Sequence, residues 1–122
     1  MLRWVEKRGI LNWLAVLVIA GVIFYVSSLT FPPGKPVFNI FPIIYHFLAF
    51  FWLAFFLSLA LVRGKRTDFM VIAILIAVMY AVSDEFHQLF VPGRACDFKD
   101  FLVDSGGIIL ASLIYMIRLK KK

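Results

Sequence analysis

The amino-acid sequence predicts an all-α integral membrane protein, a four-transmembrane-helix bundle with both termini cytoplasmic. Three observations carry this reading. The chain is 63% apolar and only 16% charged over 122 residues, against about 45–50% apolar and about 25% charged in a soluble domain. The apolar residues fall into four runs, each near the roughly 20 residues that cross a hydrocarbon core. The basic residues sit in short clusters between those runs, which is a topology signal.

The runs are helical because an unpaired backbone amide in lipid is costly and four spans are too few to close a barrel. The first helix is expected over about 10–30. Its apolar run, Ile10–Leu29, ends at Ser27, Ser28 and the breaker Phe31-Pro32-Pro33-Gly34. At about 20 residues it exceeds the apolar core of a signal peptide, and it reads as a retained membrane helix. The second helix, 40–62, stops at Arg63-Gly64-Lys65-Arg66. The third, 69–91, begins with the apolar run Phe69–Val82 and reaches Phe90 only if a polar cluster is included, before Pro92-Gly93. The fourth, 101–119, ends at Lys120, Lys121 and Lys122. Residues 1–122 read as a single membrane domain.

Orientation follows from Lys and Arg. Of the 13 basic residues, all but Lys35, Arg94 and Lys99 lie at the amino terminus, in the 63–66 loop or at the carboxy terminus. That side is expected to be cytoplasmic, with the 31–39 and 91–100 loops facing outward. The net charge of +6 does not read as a nucleic-acid surface, which needs a basic stripe on a folded face. A lone cysteine, Cys96, excludes an intrachain disulfide and any CxxC motif.

The stretch SDEFHQLFVPGR, residues 83–94, places several ionisable groups at the end of an apolar run. At about 1.5 Å per residue, Glu85 lies about 24 Å along the third helix and His46 about 9 Å below Ile40. Asp104 lies about one turn into the fourth helix. Three helices thus bring ionisable side chains to similar depth. A charge in lipid costs roughly 2.5–3.5 kcal/mol on insertion scales, so such groups face the bundle interior or a watery pocket. Asp84, His87 and Gln88 share a face, as do Asp97, Asp100 and Asp104. Gly106 and Gly107 follow, and small residues let helices approach closely. The candidate ligand-binding residues are His46, Asp84, Glu85, Gln88, Arg94, Asp100 and Asp104, lining a polar chamber that opens outward. Asp97 and Asp100 also suit a helix cap. The histidine–carboxylate mixture has the donor chemistry for a divalent metal, but no H-E-x-x-H spacing occurs. No metal and no cofactor is expected.

The stretch SDEFHQLFVPGRACDFKDFLVDSGG resembles the signature of the VanZ-like family of small bacterial membrane proteins. Ser27-Ser28, Pro32-Pro33 and His46 also match that family's pattern. Carried over by position, the resemblance assigns polar or close-packing roles to His46, Asp84, Glu85, Gln88, Arg94, Asp100 and Gly107. Two positions depart from it: Ile43 stands where the family commonly has lysine, and Asp104 where it has asparagine. The family's named member is associated with resistance to teicoplanin, a lipid-tailed glycopeptide. The resemblance therefore implies an envelope role on the outer face.

Three functions are open at this stage. A non-enzymatic protein would bind the headgroup of a membrane lipid, a lipoglycopeptide or a cell-wall precursor, with Arg94 meeting its phosphate or carboxylate. A lipid-modifying intramembrane enzyme would use Glu85 or His46 as general base. A small proton-coupled transporter would use Glu85, and alternating access by four helices around one pocket calls for a homo-oligomer.

Overall fold

The computed structural model describes residues 7–28, 40–62, 67–91 and 98–120. They form four α-helices: α1, Gly9–Ser27; α2, Ile40–Val62; α3, Phe69–Gln88; and α4, Phe98–Lys120. No strand occurs among the described residues. All four helices are long and apolar enough to cross a membrane, and the chain is a multi-pass membrane protein.

The helices run up, down, up and down. The end of α1 meets the end of α3 through Ser27 and Asp84, and the early turns of α2 and α4 meet through His46 and Asp104. α2 is the central element. It packs against the other three helices, most extensively against α4, whereas α1 and α4 do not touch among the described residues. The core follows this arrangement. Phe50, Leu53, Ala54 and Leu57 of α2 are buried with Ala73, Ala77 and Ala81 of α3 and Ile108 and Ala111 of α4.

α1 is peripheral. Its buried residues are Asn12, Val16, Ile23 and Ser27, spaced along one narrow helical stripe. Much of its remaining surface faces outward, including Ile10, Leu17, Val18 and Tyr25, as in a helix whose backbone groups are all satisfied internally. A polar tie supplements the packing: the Tyr80 hydroxyl of α3 donates to the Ala20 carbonyl of α1.

Three helix ends differ by about three residues from their sequence-based bounds; α1 stops at Ser27 rather than near residue 30. Helical i→i−4 bonding in α3 stops at Gln88, and the chain tightens to i→i−3 bonds. Leu89 N donates to Phe86 O, Phe90 N to His87 O and Val91 N to Gln88 O, at 3.2, 3.0 and 3.2 Å. Such tightening satisfies the last carbonyls of a helix. α4 begins at Phe98, ahead of its apolar run, and carries Asp100 in its first turn, where a carboxylate complements the helix dipole.

Candidate functional site

Every helix delivers polar side chains to the same end of the bundle, the end away from residues 7 and 120. They come from the last turn of α1, the second turn of α2, the last turns of α3 and the first two turns of α4. His46, Asp84, Glu85, Gln88 and Asp104 are all buried there, none more than 7% exposed.

α3 builds the largest share. Ala73, Ala77 and Ala81 recur every fourth residue and are fully buried. Their small side chains hold α3 close to its neighbours. The same face continues as Asp84, Glu85 and Gln88, so the packing that buries the alanines also draws three polar groups inside. Phe86, Leu89 and Phe90 point outward.

α2 and α4 supply the opposite wall, and Gly107 sets their distance. A Cβ at Gly107 would lie 2.4 Å from Phe47 O, closer than a Cβ can sit to a backbone oxygen, and a tight 3.1 Å from Phe51 N. Only glycine permits this approach. One turn earlier on α4 is Asp104, and next to Phe47 is His46. The close crossing thereby sets His46 Nδ1 3.1 Å from Asp104 Oδ1, the imidazole N–H donating to the carboxylate.

α1 closes the cluster from the side. Ser27 Oγ donates to Asp84 Oδ1. Ser28 Oγ donates to Phe24 O at 2.8 Å and lies 2.9 Å from His87 Nε2. Since the serine has one proton and gives it to Phe24, His87 Nε2–H donates to Ser28. His87 also stacks on Phe24, ring centres 4.7 Å apart. It serves as a clamp between α1 and α3.

The structure thus brings together five of the seven sequence-predicted site residues in one buried cluster. Atoms of His46, Asp84 and Asp104 able to bind a metal all lie within 4.8 Å of one another. Gln88 Nε2 and Asp104 Oδ2 are buried and make no hydrogen bond among the described residues. Asp100 is half-buried one turn ahead of Asp104. Arg94, with Cys96 and Asp97, lies outside the described residues. In the sequence Ser27 and Ser28 mark the end of a helix and match the family's serine pair, with no site role assigned. Their adjacency to the breaker at 31–34 hid a pairing with residues nearly sixty positions away. Asn12, also buried, stood alone in an apolar run and carried no signal beyond its polarity.

Two apolar grooves flank α2 at the level of His46. One, about 510 Å³, is lined by Ile43, Phe47, Leu102, Val103 and Gly106 of α2 and α4. The other, about 630 Å³, lies between α1 and α2 and includes Val22, Ile23, Tyr45 and Trp52. Both open sideways, toward where lipid tails lie.

Neither a curated protein nor a solved structure matches the chain. A family model does: VanZ/LLP1, over residues 6–119, which takes in all four helices and every polar group described above. The chain belongs to the VanZ/LLP1 family.

Proposed function

We propose that this protein binds the polar headgroup of an envelope lipid or lipid-tailed glycopeptide in its buried cluster, with acyl tails lying in the grooves beside α2. It would sit in the bacterial cytoplasmic membrane with both termini inside and the cluster in the outer leaflet. The observation that supports this most is juxtaposition: a polar constellation of His46, Glu85, Gln88 and Asp104 next to sideways-opening apolar grooves. An amphiphile has the same two-part chemistry. Polar groups at membrane depth are otherwise expensive, and Gln88 retains buried hydrogen-bonding capacity that a phosphate, carbonyl or hydroxyl would use. Arg94, in the adjoining loop of the sequence, has the fork geometry for a phosphate or carboxylate. A contribution to teicoplanin resistance is the corresponding cellular role.

The test uses Glu85→Gln and Arg94→Lys in a host whose growth under teicoplanin depends on the protein. Each change roughly keeps volume while altering charge or fork geometry. Expression and thermal stability are confirmed first, because removing one partner of a buried pair costs about 3–5 kcal/mol. Folded variants that lose protection support the reading. Folded variants that protect like wild type refute it, and the motif is then a packing device for α3 and α4.

A further inference from the structure

We infer that His46, Asp84 and Asp104 form a binding site for one divalent cation of borderline hardness, Zn²⁺ or Mn²⁺. The three residues come from three helices, and their donor atoms converge within 4.8 Å. None is more than 5% exposed. One imidazole and two carboxylates make a mixed nitrogen–oxygen set. Imidazole favours Zn²⁺ and its neighbours, and carboxylate extends the range to Mn²⁺.

Geometry fits with little rearrangement. Metal–ligand bonds of about 2.0–2.2 Å put tetrahedral donor atoms roughly 3.4 Å apart. His46 Nδ1 and Asp104 Oδ1 are 3.1 Å apart, so a cation can take the place of the proton between them. No donor pair in the set is more than 4.8 Å apart, so a small side-chain movement of Asp84 completes the set. A second observation points the same way. Asp104 Oδ2 is buried without a hydrogen-bond partner among the described residues, although its carboxylate is fully enclosed. A buried carboxylate oxygen normally finds a donor, and a cation satisfies it equally well. Two carboxylates brought this close repel in a low-dielectric interior, and a doubly charged ion offsets that repulsion. Three protein ligands leave a coordination position open, as in catalytic rather than structural sites. The ordering of the cluster also fits: Ser27 donates to Asp84, the kind of outer contact that holds a metal-binding carboxylate in place. The site has no local sequence spacing because its ligands lie at positions 46, 84 and 104, which is why motif reading expected none.

The experiment uses the full chain purified in detergent, stripped with a chelator and titrated separately with Zn²⁺ and with Mn²⁺. Bound metal is measured by elemental analysis after desalting. The expected result is one equivalent per chain for at least one of these ions. Asp104→Asn, His46→Gln and Asp84→Asn each weaken binding by at least about tenfold, while Asp68→Asn, at an exposed position, leaves it unchanged. A measurement on the unmutated protein guards against variants that do not fold. With both imidazoles labelled with ¹⁵N, Zn²⁺ should shift the His46 signal and leave that of His87 in place. Failure of the wild-type chain to retain either metal would overturn the proposal. So would binding that folded Asp104→Asn and His46→Gln leave intact, or a shift at His87 alone. The headgroup reading is tested by teicoplanin protection and does not depend on metal, so the two can fail separately.

Discussion

Gly107 is the residue on which the site's geometry turns. Alanine there would press its Cβ into the Phe47 carbonyl, at 2.4 Å. Backbone cannot rotate away as a side chain does, so α2 and α4 must part. Overpacking of this kind costs about 1–3 kcal/mol, which outweighs the up to about 1 kcal/mol that alanine gains over glycine inside a helix. Gly107→Ala should therefore lower the melting temperature in detergent. Gly106→Ala is the internal control, because its Cβ would meet Phe47 Cε2 at an ordinary 3.6 Å; its melting temperature should hold or rise. A fall of equal size in both would mean the crossing is not as close as described. Ser27 allows a second test at this scale. Ser27→Ala removes the hydroxyl that donates to Asp84 and should destabilise the fold by about 1–3 kcal/mol. Equal stability of Ser27→Ala and wild type would show that this hydrogen bond is not made. His46, Asp84, Glu85 and Asp104 could be picked out from the sequence because ionisable residues at membrane depth have few places to go. The serine contacts could not, because a serine at a helix end has several local partners and no energetic reason to declare a distant one.

At the scale of the element, α3 joins packing to chemistry. Its buried face runs Met70, Ala73, Ala77, Ala81, Asp84, Glu85, Gln88, small residues leading directly into polar ones. A larger side chain on the alanine stripe should tilt the helix and spoil the cluster beyond it. Ala77, fully buried, is the position to change. Ala77→Leu should cost about 1–3 kcal/mol, whereas Met79→Leu, on the 70% exposed opposite face, should stay within about 0.5 kcal/mol. Thermal unfolding of the two variants in one detergent decides this, and similar values would mean α3 is not packed on that face. The helix spans themselves were readable from length and apolarity. Which face each helix buries was much less so, and α1 shows why. Its buried stripe is Asn12, Val16, Ile23 and Ser27, and between the two polar residues at its ends it is apolar all round. Lipid is as apolar as a protein core, so hydrophobicity does not separate the two faces.

At the scale of the whole molecule, the four antiparallel helices place one polar end opposite the chain's basic ends. Basic residues are retained on the cytoplasmic side, so the cluster should open outward. The only cysteine, Cys96, lies in the sequence between α3 and α4. A membrane-impermeant maleimide on intact cells, or on spheroplasts where there is an outer membrane, should label it. Labelling only after permeabilisation would invert the orientation. The number of spans was legible because it rests on run lengths and apolarity, which are properties of the chain taken singly. The convergence of positions 46, 84 and 104 was legible only as similar depth. Depth fixes height in the membrane, not azimuth around each helix, and azimuth is settled by contacts such as that of Gly107 with Phe47.

Native mass spectrometry of the wild-type chain, released gently from its membrane, tests the binding claim most directly. A retained amphiphile with a polar headgroup is expected, present in stoichiometric amount and lost from a folded Glu85→Gln variant. A wild-type chain that carries no such lipid, and takes up none when offered envelope lipids, or a retained lipid indifferent to Glu85→Gln, would contradict it.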